Sequence, residues 1–152
     1  EGKVYCCAIK DVCSNRIVGY AIGRRMKASL AVRALKNALE QRGYPEGVIV
    51  HSDRGGQFRS RSFQQTLTRY NLRGSMGRVG ACGDNAAMES FFSLLQKNVL
   101  DRQPWATREE LRLAIVHWVE ARYHRKRRQR RLGKLTPIEF ETIMMDAVTL
   151  AA

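Results

Sequence analysis

No stretch of this sequence stays apolar for the roughly 18 residues that a membrane-crossing helix needs, and no segment has the layout of a secretory signal. Cysteine is scarce: Cys6, Cys7, Cys13 and Cys82 form no C-x-x-C pair, and His51, His117 and His124 complete no zinc-finger spacing with them. That excludes a disulfide scaffold and a structural zinc site, and leaves free, mostly buried thiols in a reducing compartment as the expectation. Acidic side chains are also few, 14 against 27 Lys and Arg, for a formal charge of +13. Such an excess favours a polyanionic partner, because each phosphate neutralised releases condensed counterions. Charge alone does not separate a nucleic-acid enzyme from a passive basic protein of the ribosomal kind. With no membrane partner indicated, a cytoplasmic protein acting on nucleic acid is the expectation.

The 152 residues are 44% hydrophobic, enough to bury a core and too many for a disordered basic tail. There are no internal repeats and no low-complexity linker. Lys3 to Val12 and Arg16 to Gly23 are apolar and β-prone, and Cys13-Ser14-Asn15 between them supplies turn chemistry, so the two predict a hairpin. Ser29 is placed to cap a helix with Leu30, Val32, Leu35, Ala38 and Leu39 as its apolar stripe and Gly43 as its stop. A short strand is expected from Gly47 to Val50, followed by a polar loop from His51 to Gly56, then a helix begun by Ser60 and a strand near Leu72 to Ser75. A Gly-rich loop, Gly74 to Gly83, leads to Asp84 as the cap of a helix from about Asn85 to Leu100. Thr107 and Glu110 form a capping box for a helix to about His124, and Thr136, Pro137 and Glu139 begin a last helix after the basic run Arg125 to Arg131. This alternation is an α/β order, and it sets the loop after the strand at Val50 at a carboxyl end, where open α/β sheets bind ligands.

Two carboxylates differ from the rest in their surroundings. Asp53 leaves an apolar strand into a loop with two glycines, and Glu89 lies among Ala86, Ala87, Met88, Phe91 and Phe92 on a helix, where burial would demand a pairing cation. Asn85, one turn earlier, faces the same side as Glu89 and would support it. A strand-end carboxylate with a helix carboxylate suits a hard, oxygen-seeking ion such as Mg²⁺. The plainer alternatives are a turn-forming Asp53 and a Glu89 paired with a base on the helix face.

The string His51-Ser52-Asp53-Arg54-Gly55-Gly56-Gln57-Phe58 closely resembles the H-S-D-R-G-x-Q box, closed by Tyr or Phe, of bacterial insertion-sequence transposases related to retroviral integrases. Gly80 to Phe92 (GACGDNAAMESFF) resembles their G-x-C-x-D-N-A-x-x-E-S-F-F box, and 35 residues lie between Asp53 and Glu89, close to that family's spacing. Asp11 to Tyr20 resembles the family's hairpin segment, and Tyr123 to Pro137 (YHRKRRQRRLGKLTP) its Y-N-x-x-R-x-H-x-x-L-G segment. The resemblance covers nearly the whole chain. It implies an α/β, ribonuclease H-like fold: a mixed sheet flanked by helices, here lacking its first central strand, with C-terminal helices. Residues 1–124 would be the catalytic core, and 125–152 a basic segment and C-terminal helix of the same domain.

The resemblance further implies a transposase catalytic core that cleaves and transfers DNA strands by two-metal phosphoryl transfer, with Asp53 and Glu89 as catalytic residues and ligands of two Mg²⁺ or Mn²⁺ ions. Arg54, Lys97, Arg125, Lys126, Arg127, Arg128, Arg130 and Arg131 would hold the DNA backbone, positioning it without reading bases; the plainer reading of the run is a solvated helix end. The partners implied are DNA (element ends and target), further copies of the chain on that DNA, and an upstream helix-turn-helix region, with the protein at the nucleoid when it acts. The family's first catalytic Asp lies in a W-x-x-D-x-T strand that this sequence does not contain; Asp11 is the hairpin Asp and does not replace it. The chain alone is therefore expected to be inactive and to open at a seam where that strand would pair. Gln96 stands where many relatives carry a DNA-contacting Lys, with Lys97 as a possible substitute, Asn98 replaces a common acid, and His124 and Gln129 replace the usual Asn and His. These departures keep an inactive DNA-binding remnant open as the alternative.

Overall fold

The computed structural model describes residues 2–77 and 86–151, and of Ala87 and residues 146–151 the backbone alone. The chain divides into two compact units, one of Glu1–Lys10 with Val18–Leu94, the other of Asp11–Ile17 with Leu95–Ala152.

In the first unit, β1 (Tyr5–Lys10) and β2 (Ile17–Gly23) form the predicted hairpin. α1 (Ala28–Gln41) packs against β1 with a stripe of small and branched residues, Leu30, Ala31, Ala34, Leu35, Ala38 and Leu39, at helical spacing. Its cap is Lys27, without a side-chain hydrogen bond; Ser29 lies already inside the helix, a correction to the expected cap. The stop is as predicted: Gly43 takes the left-handed conformation (φ 71°), and the Tyr44 N–H returns to the Leu39 carbonyl at 2.8 Å.

β3 (Ile49–Ser52) begins two residues later than the apolar letters imply, because Gly47 (φ 74°) makes the turn into it, and His51 and Ser52 belong to the strand, not to the loop. A short helix, α2 (Gly56–Arg59), precedes α3 (Arg61–Arg69), which Ser60 caps as expected by accepting from the Phe63 N–H at 3.2 Å. β4 (Arg73–Met76) pairs parallel with β3 in the register Ile49 with Arg73 through Ser52 with Met76. The core unites Cys7, Ala21, Leu30, Ala31, Ala34, Leu35 and Leu39 of α1, Phe63, Leu67 and Leu72. Among the described residues the sheets are two, β1–β2 and β3–β4, with no ladder joining them.

α4 (Ala86–Asn98) follows; the expected cap at Asp84 and the Gly-rich loop before it fall largely outside the described residues. In the second unit a 3₁₀ turn (Leu100–Arg102) leads to α5 (Arg108–His117), capped by Thr107 accepting from the Glu110 N–H at 3.1 Å. The predicted continuation to His124 is helical but widens into a π-turn over Trp118–Tyr123, with the His124 N–H reaching the Val119 carbonyl five residues back. α6 (Pro137–Ala151) opens on a reciprocal capping box: Glu139 accepts from the Thr136 N–H at 3.0 Å and Thr136 from the Glu139 N–H at 3.2 Å.

Candidate functional site

Asp53 follows directly from the carboxyl end of β3. Parallel pairing with β4 aligns both strand ends, and the Gly77 N–H extends the ladder to the Ser52 carbonyl at 3.0 Å. Each neighbour in the box has a local task. His51 Nδ1 meets Ser75 Oγ at 3.0 Å, and Arg54 Nε donates to the Gly77 carbonyl at 2.8 Å, tying the loop after β3 to the end of β4. Phe58 packs edge-on against Phe63 at 5.3 Å between centroids. Asp53 is exposed, and its Oδ1 accepts from the Gly55 N–H at 2.6 Å, so the carboxylate is aimed by its own loop. A Cβ at Gly55 would stand 2.8 Å from that same oxygen and from Gln57 Oε1, so a larger residue there would push the Asp53 carboxylate out of this position.

Asp53 also leaves an electrostatic mark on β1. Burial, and secondly the Asp53 charge, push the Cys7 thiol up to about 11, and burial with Cys7 beside it pushes Cys6 up to about 12. Both are protonated, inert thiols, and neither is a candidate nucleophile. Cys13 is exposed, against the expectation of burial, because it sits in the turn after β1.

Glu89 lies in the first turn of α4 and is exposed, which corrects the expectation of a buried glutamate. The buried stripe of α4 is Phe91 and Leu95, continued by Val99 just past its end, and two residues before Phe91 is about 200° around a helix, on its far side. Phe92, at 37% exposure, shares the outward side, so the apolar letters around Glu89 do not enclose it. Asn85 lies outside the described residues.

Asp53 and Glu89 therefore both belong to the first unit and both reach solvent. Their chemistry fits a hard divalent cation, which takes carboxylate oxygens and keeps waters. They do not complete a donor set: among the described residues no group of three or more His, Cys, Asp or Glu is placed to hold a metal.

The basic candidates divide by what they touch. Lys97 is exposed in the last turn of α4, and Arg125, Lys126, Arg127 and Arg130 are exposed. Arg128 lies 3.9 Å from Glu139 and donates to the Lys134 carbonyl. Arg131 is engaged elsewhere in its unit, bonding Asn15 Oδ1 at 2.6 Å and the Val12 carbonyl.

That contact is part of a network that the sequence did not reveal. The hairpin turn, Asp11–Ile17, is held by Asp11 Oδ1 accepting from the Cys13 N–H, the local role expected of it. Its outer residues are then gripped by partners more than 100 positions away. Ser14 donates to Glu141 at 2.5 Å, Arg16 pairs with Glu141 at 3.0 Å, Asn15 donates to Gln129, the Tyr123 hydroxyl donates to the Asn15 carbonyl, and the Ile17 N–H donates to His124 Nε2 at 3.0 Å. Nothing in the sequence marked it: Ser14 and Asn15 read as turn letters, and only the structure shows that they and His124 are buried.

Comparison with known proteins places these features in a family. A profile of the integrase core domain matches residues 1–82, and a second integrase core domain profile matches residues 70–137. The sequence is 42% identical over 141 residues to "Transposase InsF for insertion sequence IS3A" of Escherichia coli (strain K12), covering 93% of this chain and 49% of that protein. It is 40% identical over 140 residues to "Insertion element IS600 uncharacterized 31 kDa protein" of Shigella sonnei, covering 92% and 52%. The chain thus spans about half the length of the curated relatives it matches. Among solved structures, the HTLV-2 integrase catalytic core domain in complex with magnesium superposes with a TM-score of 0.60 at 17% identity, over 91% of this chain and 92% of that one. A chain of a simian T-cell lymphotropic virus intasome does so with a TM-score of 0.62 at 17% identity, over 91% and 52%. At that identity the likeness speaks for the fold, which is that of integrase catalytic cores, a ribonuclease H-like α/β class.

Proposed function

This chain belongs to the integrase core domain family, and from that premise we propose that it is the larger part of a transposase catalytic core that cleaves and transfers DNA strands, with Asp53 and Glu89 as its catalytic carboxylates. The observation that carries the reading is the placement of Asp53: at the carboxyl end of a parallel strand pair, exposed, with one oxygen held by the Gly55 N–H. Glu89, on the outward side of α4, is the second donor.

A third carboxylate comes from a strand outside residues 1–152. Support for that strand is structural. β1–β2 and β3–β4 do not pair with each other, and Ile49 on β3 is 63% exposed although parallel strands are ordinarily covered on both faces. Bound by the complete set, Mg²⁺ or Mn²⁺ supplies Lewis-acid chemistry at the attacking and leaving oxygens of an in-line phosphoryl transfer. The residues of this chain do the positioning. Gly55 orients Asp53, Arg54 ties the loop carrying it to Gly77, and Lys97, Arg125, Lys126, Arg127 and Arg130 neutralise phosphates. Element ends, target DNA, further copies of the chain and a helix-turn-helix region elsewhere in the same protein are its partners in this reading. Among the described residues no helix is long and apolar enough to cross a membrane, and a cytoplasmic, nucleoid-associated protein is the corresponding proposal.

The test uses the intact protein with element-end DNA. Asp53→Asn and Glu89→Gln are each expected to lower divalent-ion-dependent strand joining by roughly 10²–10³-fold or more with DNA binding retained. Undiminished joining by either variant removes that residue from the mechanism. DNA binding without joining by the unaltered protein would favour the inactive remnant.

A further inference from the structure

The second unit contains a cavity of about 570 Å³ that none of the catalytic carboxylates enters. Four cations line it, Arg102, Arg122, Lys126 and Arg127, and no Asp or Glu does. All four are exposed, and among the described residues none is in an ion pair. A cleft lined by one sign of charge against apolar walls focuses its field and concentrates an anion. The apolar wall is aromatic and held from behind. Trp105, the more accessible of the two, is half-buried with its indole N–H on the Val99 carbonyl at 3.3 Å; Trp118, 8% exposed, shows only an edge and rests on Tyr123 at 5.6 Å between centroids, whose hydroxyl is itself bonded to the Asn15 carbonyl.

The π-turn builds this wall. Where the helix widens over Trp118–Tyr123 and ends, the N–H groups of Lys126 and Arg127 both reach the Arg122 carbonyl, at 2.9 and 2.8 Å. Such widened turns recur at functional sites. Size is compatible with a single nucleotide: the volume lies among small-molecule sites, about 300–1,000 Å³. Flat aromatic surface beside phosphate-binding cations is the pairing used on unpaired strands.

We propose that this cavity binds a single unstacked nucleotide of a DNA strand, its phosphate on Arg102, Arg122, Lys126 and Arg127 and its base against the Trp105–Trp118 wall. The inference rests on the reading that the protein acts on DNA, and it adds a site for unpaired DNA separate from the catalytic carboxylates.

Trp105 and Trp118 are the chain's two tryptophans, so fluorescence excited at the red edge, where its five tyrosines do not absorb, reports this cavity. Titration of the 152-residue chain with single-stranded oligothymidylate is expected to quench that fluorescence, while inorganic phosphate at the same phosphate concentration leaves it unchanged. In Arg102→Gln/Arg122→Gln, both positions exposed and compatible with the fold, affinity for the single strand falls on the order of tenfold, its salt slope drops by about one to two, and affinity for a blunt duplex changes far less. Equal losses for strand and duplex, quenching by phosphate alone, or no quenching by the oligonucleotide would each overturn the proposal. Asp53→Asn tests the catalytic reading without touching the cavity, and this double variant tests the cavity without touching Asp53 or Glu89, so the two can fail separately.

Discussion

His124 is 1% exposed and accepts the Ile17 N–H on Nε2, so the fold holds it as a neutral ring with its proton on Nδ1, 3.5 Å from Glu120. Burial lowers its pKa. The Glu120 carboxylate opposes that, the Arg16 guanidinium adds to it, and Glu141 opposes it weakly; the net direction is down. An imidazole depressed in the folded state stabilises the fold fully above its unfolded value, about 6.5, and the stability drains as pH falls from there toward the lower folded value. Melting temperature is therefore expected to decline as pH is lowered from about 8 to about 5, with a shallower decline in His124→Asn. Equal slopes would show that this ring is not the sensor. The same network accounts for the two letters that depart from the family pattern. Where the segment that this one resembles has Asn and His, His124 accepts from the Ile17 N–H and Gln129 from Asn15 Nδ2. The second nitrogen of each side chain, His124 Nδ1 and Gln129 Nε2, is buried without a hydrogen bond among the described residues, which offsets part of what the two acceptors contribute.

At the level of elements, the join between β2 and α1 depends on a missing side chain. A Cβ on Gly19 would lie 2.4 Å from the Ala34 carbonyl oxygen and 2.5 Å from the Ala38 nitrogen, both backbone atoms that cannot rotate away. Ala31, Ala34 and Ala38 give α1 the shallow face that allows this approach. Gly19→Ala is expected to cost about 1–3 kcal/mol in urea unfolding, because strand and helix must separate; a loss below that range would mean that the helix can slide on the strand. The two helix starts predicted as capping boxes differ in detail, since only α6 shows both halves of the exchange, Thr136 with Glu139.

For the whole molecule the open question of the sheet becomes a measurement. Two separate two-stranded sheets are marginal alone, and β3 carries Val48 and Ile49 at 44% and 63% exposure beside it and in it. If a further strand covers β3 in the intact protein, Ile49→Thr changes the stability of the 152-residue chain by no more than about 0.5 kcal/mol and that of the intact protein by on the order of 1 kcal/mol or more. Equal effects in both would remove the covering strand.

The sequence by itself determined the alternation of strands and helices, the stops and caps at Gly43, Ser60, Thr107 and Thr136, and the two carboxylate boxes, because these depend on neighbours within a turn or two. It misread Glu89 as buried, since apolar letters on both sides do not say which face of a helix they occupy. It could not show that Ser14, Asn15 and Arg16 would be met by Gln129 and Glu141, or that Trp105, Trp118 and four cations would share one cavity. Those are pairings set by the tertiary fold between residues distant in the chain, or by a π-turn whose extra residue per turn leaves no mark in the hydrophobic period.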